Sequence, residues 1–193
     1  MEKETKCPDV NLLTAEIHAN AVQHGFWEND PSDEHCLCLV ACELAEAVEA
    51  DRKGKHAFTS AIEYLQAHTN NYTSDEYAHF FRISFVNGVK DTVEDELADT
   101  VIRLLDLAGA HGYDLSRGGT MVGCIHNGRA FTENVWEIIQ VLTNKQLDAQ
   151  QRVLSGVVAV EILAVAYDID LWQHVQLKMQ YNASRPYRHG KKY

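Results

Sequence analysis

Two acidic pairs carry a spacing from which chemistry can be built: Glu43 and Glu46 in ELAE, and Glu96 and Asp99 in ELAD. Residues three apart on a helix leave the same face, so each pair presents its carboxylates side by side. The surrounding segments, LVACELAEAV and ELADTVIRLLDLA, set these acids among Leu, Val, Ile and Ala. That setting predicts positions bordering the core rather than a uniformly solvated face. Four carboxylates packed together without a cation repel one another, and some stay protonated. Magnesium takes hard oxygen ligands and keeps waters that a substrate phosphate can replace. The spacing therefore predicts Mg²⁺ held by Glu43, Glu46, Glu96 and Asp99, with Mn²⁺ as a possible substitute. Such a centre polarises a phosphoanhydride and activates water, and Glu46 is the candidate base.

The elements that must position these acids read as helices throughout. Val10, Leu13, Ile17 and Ala21 predict a first helix over about 10–24, ended by Gly25. Asp30-Pro31 predicts an N-cap and a proline at the first helical position for a second helix that runs to Gly54. Further helices are predicted at 57–67 and at 75–85, the latter capped by Thr73 or Ser74. Val93, Leu97, Val101, Leu104 and Leu105 then predict a helix over 90–110 that Gly109 and Gly112 bring to its end. A short helix around 115–127 follows, then 133–143 capped by Thr132, 149–167 capped by Asp148 and 171–183 capped by Asp170. The result is an all-α chain, read as one domain over 1–193.

Composition agrees. Only three prolines punctuate the chain, while Ala/Leu/Val/Glu-rich stretches recur. The net charge of −11 argues against affinity for long nucleic acid, since that affinity comes from neutralising a phosphate backbone. A small phosphorylated ligand bridged by divalent cations remains compatible with it. The five cysteines lack paired CxxC spacing, so they read as reduced thiols of a cytoplasmic protein. Cys38 and Cys42, four apart in an apolar run, are expected as small core residues on one helix face. The N-terminal MEKETKCPDV lacks a secretory apolar segment. No stretch approaches the roughly 20 apolar residues of a membrane span.

The pattern ELAE followed by ELAD on neighbouring helices resembles the hallmark of the MazG-like all-α nucleoside triphosphate pyrophosphohydrolases. The likeness extends upstream to IHANAVQHGFW at 17–27 and downstream to KMQYNASRPYRHGKKY at 178–193. It implies an antiparallel helical bundle, assembled as a homodimer or higher homo-oligomer, that cleaves a nucleoside triphosphate between the α and β phosphates to monophosphate and pyrophosphate. Carried across by position, it makes the four acids magnesium ligands and Lys178, Asn182 and Arg185 candidates for contacting phosphate or sugar. Lys178 and Asn182 share a helix face, with Arg185 just beyond. Trp27 is a candidate for stacking on a base, with His18 nearby on the preceding helix. Residues 47–95 separate the two pairs, a longer interval than is usual in the family. A helical insertion at about 55–88 fills it, and 184–193 forms a basic tail.

Two other readings use the same residues. A di-iron helical bundle normally carries two Glu-x-x-His motifs, and Glu76/His79 is the one candidate. A non-catalytic nucleotide-binding or assembly module would instead place the acids in ion pairs across an interface. A faint echo of LVACELAEA in VVAVEILAV at 157–165 puts Glu161 where Glu43 stands. A degenerate repeat and chance likeness both account for it.

Overall fold

The computed structural model describes residues 8–116, 125–190 and 192. Among them are eight α-helices and no strand, so the fold is an all-α helical bundle. The helices are α1 (Val10–Gln23), α2 (Asp33–Arg52), α3 (Ser60–Ala67), α4 (Ser74–Gly88), α5 (Val93–His111), α6 (Phe131–Thr143), α7 (Ala149–Ala166) and α8 (Leu171–Ala183).

Helix α5 is the centre, packed against α1, α2, α7 and α8. Its sequence explains that place. Leu97, Val101, Leu104, Leu105 and Ala108 are fully buried, and so are Ala98 and Thr100 on other sides of the helix, as expected of a helix surrounded by partners. Thr92 caps it, accepting from the Asp95 N–H, and the acidic first turn, Glu94, Asp95 and Glu96, suits the positive end of the helix dipole. Gly112 closes it in the left-handed conformation, while Gly109 lies within the helix. A side chain at Gly109 would run into His18 and the Thr14 carbonyl, so its absence lets α1 approach closely.

Helices α1 and α2 both run antiparallel to α5. Asn11 near the start of α1 bonds Asp114 just past the end of α5, and His18 meets Asp106. Asp33 at the start of α2 meets His111 at the end of α5, and beyond the other end of α2 the Lys55 carbonyl accepts from the Val93 N–H. Helix α2 begins later than the sequence predicts, because Asp30 takes φ 45 and Ser32, not Asp30, accepts the capping bond from His35. Cys38 and Cys42 are exposed rather than core residues. The buried face of α2 is the one bearing Val40, Glu43, Leu44 and Ala47, and the two cysteines lie off it.

The segment between the acidic pairs forms α3 and α4, with Thr73 closing a capping box on Glu76 at the start of α4. It is tied to α5 through Ala57, whose N–H donates to Glu94. It has its own small core of Ile62, Phe81, Phe85 and Val89, shared with Leu177 and Tyr181 of α8. The helix expected around 115–127 lies largely outside the described residues; 115–116 and 125–127 are not helical. Helix α6 starts at Phe131, and Glu133 rather than Thr132 closes its end by accepting from the Ala130 N–H. Helix α7, at 18 residues and mean hydropathy 1.3, does reach the length and composition of a membrane span, which the sequence reading did not expect. Its Val153, Val157, Val160 and Leu163 are buried, and it packs on α5 and α6 as a core helix does.

After α8 the chain turns back on α1. The Arg188 N–H donates to the His24 carbonyl, Arg188 also reaches the Gly25 carbonyl and Glu28, and the Tyr187 hydroxyl donates to Glu28. Gly25 takes φ 81, and a Cβ there would run into the edge of the Tyr187 ring. The described part of the basic tail, around Tyr187 and Arg188, is therefore a strap across the exit of α1.

Candidate metal centre

The helical spacing that puts Glu96 and Asp99 on one face of α5 also turns them towards α2, where Glu43 is buried on the packed side. Oxygens of Glu43, Glu96 and Asp99 lie within 4.8 Å of one another. Burial pushes the Glu96 carboxyl up to about 9, with the nearby charges of Asp95 and Asp99 adding to the effect. The group holds a proton that glutamate ordinarily gives up.

Two cations answer part of this charge. The Lys178 ammonium from α8 donates to both oxygens of Asp95, at 2.8 and 2.9 Å, and reaches Asp99 at 2.7 Å. Burial alone would push its pKa down, but Asp99 and Asp95 more than offset that and raise it. Arg103 donates from Nε to Glu43 at 2.6 Å, its Nη2 lying 2.5 Å from the same oxygen. With Glu96 protonated, Glu43, Asp95 and Asp99 thus face Lys178 and Arg103, leaving one formal negative charge, and a second when Glu96 gives up its proton to a cation. Two charges and three converging hard oxygens are what a divalent cation such as Mg²⁺ fits. A second carboxylate group, Asp91, Asp95 and Glu96, shares Glu96, but its Asp95 is already engaged by Lys178 and the Asp91 N–H.

Beside the trio lies a cavity of about 620 Å³, lined by Asp99 and by Trp27, Asn182 and Arg185. A volume of that size suits a nucleotide-sized ligand. Arg185 lies 5.6 Å over the Tyr181 ring and is held by the Asn182 side chain and the His189 carbonyl. Trp27 donates from its indole to Asp106 at 2.9 Å. His18 meets the same Asp106 oxygen at 2.8 Å and packs edge-on against Trp27.

The structure brings together Glu43, Glu96 and Asp99 from the four predicted ligands. Glu46 stands one helical turn along α2 on the exposed side, outside that trio. Lys178 is at the centre but bound to two carboxylates rather than facing the cavity. Asn182, Arg185 and Trp27 line the cavity, and His18 buttresses it through Asp106 and Trp27.

Asp95, Arg103 and Asp106 were not singled out from the sequence. A signal for two of them was present: Glu96, Asp99, Arg103 and Asp106 step by three, four and three along α5, a polar stripe on an otherwise apolar helix. Asp95 lies off that register and is recognisable only through Lys178, which the fold brings from far along the chain. Glu76, the di-iron candidate, accepts bonds from Thr73 as a helix cap. Glu161, the echo of Glu43, accepts from the Trp172 indole.

The chain matches no protein-family profile, no curated protein and no solved structure.

Proposed function

We propose that this chain is a Mg²⁺-dependent nucleoside triphosphate pyrophosphohydrolase, cleaving its substrate between the α and β phosphates. The observation that carries the reading is the trio Glu43, Glu96 and Asp99, in a cluster whose carboxylates outnumber its two cations, with Asp99 also lining a nucleotide-sized cavity. The resemblance of ELAE, ELAD and the C-terminal motif to the MazG-like enzymes supports it. Glu43, Glu96 and Asp99 would hold the cation, with Glu46 completing the set from the exposed side of α2. The bound cation would supply charge stabilisation for the phosphoanhydride oxygens and lower the pKa of water.

The residues themselves do the rest. Glu46, open to solvent, takes the proton of the attacking water. Oxygen bonds to the α phosphorus, the bond from that phosphorus to the bridging oxygen breaks, and pyrophosphate leaves with the electron pair. Arg185 holds phosphate or sugar on the cavity wall, and Trp27 offers a ring face to the base. Lys178 and Arg103 hold the carboxylates in position. We place the enzyme in the cytoplasm, where Cys36, Cys38 and Cys42 stay reduced, and expect a homodimer or larger homo-oligomer that covers the exposed apolar Phe80, Ile83 and Val86 of α4.

The test is turnover of a panel of ribo- and deoxynucleoside triphosphates with Mg²⁺ or Mn²⁺, reading pyrophosphate against orthophosphate. Pyrophosphate and a monophosphate are expected from at least one substrate. No turnover, or orthophosphate alone, overturns the assignment and leaves the non-catalytic module.

A further inference from the structure

We infer that Asp106 is a specificity-determining residue that accepts a hydrogen bond from an exocyclic amino group of the base, so that the substrates are nucleotides of cytosine, adenine or guanine rather than of uracil or thymine. The inference rests on the pyrophosphohydrolase reading for the chemistry, and on separate residues for the recognition.

The placement comes from α5. Asp99 and Asp106 are seven residues apart, hence on one face and about 10 Å apart along the axis at the usual helical rise. Both line the same cavity. That spacing is close to the reach from an α phosphate across a sugar to the far edge of a base. A nucleotide with its phosphates at Asp99 brings its base to Asp106, where Phe26, Trp27 and Ile102 supply apolar wall.

The chemistry comes from how Asp106 is held. Trp27 Nε1 and His18 Nδ1 both meet Oδ1, and no described residue bonds Oδ2. The side chain keeps 21% of its exposure at the cavity wall. An ionised carboxylate only accepts, so at the cavity wall Oδ2 is open to a donor, from water or from a ligand that replaces it. The amino groups of cytosine, adenine and guanine are donors at the base edge. Uracil and thymine present carbonyl oxygens there, and their ring N–H lies between two such oxygens, which a carboxylate repels. Sites that hydrogen-bond a substrate group reject analogues lacking it far better than apolar pockets do.

The experiment compares CTP with UTP and dCTP with dUTP, pairs that differ only in a 4-amino or 4-oxo group and the N3 proton that goes with the latter, in wild type and in Asp106→Asn. Wild type is expected to favour the cytosine member by at least about tenfold in kcat/KM. Asp106→Asn, whose amide oxygen can still meet Trp27, is expected to bring each ratio towards one. A second arm measures CMP and UMP binding by tryptophan fluorescence, which needs neither turnover nor the metal, with tighter CMP binding expected. Equal kcat/KM within each pair, equal binding of CMP and UMP, or a preference unchanged by Asp106→Asn overturns the role of Asp106 and leaves it only a clamp on Trp27. Absence of pyrophosphate from every substrate overturns the hydrolase reading instead, and the binding arm still decides the role of Asp106. If Asp106→Asn does not fold, the wild-type ratios and the binding arm decide.

Discussion

At the start of the α5 stripe, Glu96 lies against Asp95, Asp99 and Glu43, and burial with those charges pushes its carboxyl up to about 9. Nearly three turns further on, Asp106 is also partly buried, and burial raises it too, but the His18 ring and the Trp27 indole pull the other way. The same kind of side chain, on one face of one helix, is left in two electrostatic states. One end collects more negative charge than the protein's own cations answer. The other holds a single carboxylate with donors on one oxygen and none of its described neighbours on the other. A cation fits the first and a hydrogen-bond donor the second, so the stripe reads as a metal end and a recognition end.

The largest expected effect of breaking this contrast lies in the counter-ion of the metal end. Lys178→Met leaves Asp95 buried and unpaired, and should cost about 3–5 kcal/mol in urea unfolding. Adding Asp95→Asn should recover much of that loss, because the two residues form one pair. Next comes catalysis: Asp99→Ala should lower Mg²⁺-dependent pyrophosphate release by more than about 100-fold, beyond the loss expected from an outer-shell residue. Helicity by circular dichroism should be unchanged.

The third effect depends on pH. Glu96 binds its proton more tightly in the folded state, about 9 against an ordinary 4.5, so the folded state holds more protons between those values. Its contribution is complete below about 4.5 and is lost as pH rises towards 9. In chelator-treated protein, Glu96→Gln should melt above wild type at pH 8, with the gap closing towards pH 5. Magnesium should stabilise wild type most at the higher pH, where the carboxylate is bare. A gap that does not change with pH would remove the contrast at its metal end. The smallest effect belongs to the other end: Trp27→Phe deletes one donor to Asp106 while His18 remains, and should cost about 1 kcal/mol.

Much of the fold was legible because local signals decide it. The α5 periodicity, the Asp148 and Asp170 caps and the Thr73 capping box each depend on residues within one or two turns. Errors came where tertiary contacts select among local options. Both Asp30 and Ser32 are good caps, and the turn that puts Asp30 at φ 45 hands the role to Ser32. Cys38 and Cys42 satisfy the spacing of a core face, yet α5 packs on the side of Val40 and Leu44. The acid pairs were visible by spacing alone. That Glu43 turns inward while Glu46 turns outward depends on which face of α2 meets α5, and that Lys178 answers Asp95 depends on how α8 returns along α5.

The strap over α1 has a consequence for how this chain can change over generations. Gly25 and the Tyr187 ring occupy one space, so a residue with a side chain at 25 requires a smaller one at 187, while glycine at 25 permits the large ring. The two positions should drift as a coupled pair among descendants of this sequence. A lineage that shortens or recodes its last residues loses the clash, yet the φ of 81 still favours glycine where the chain bends away from α1.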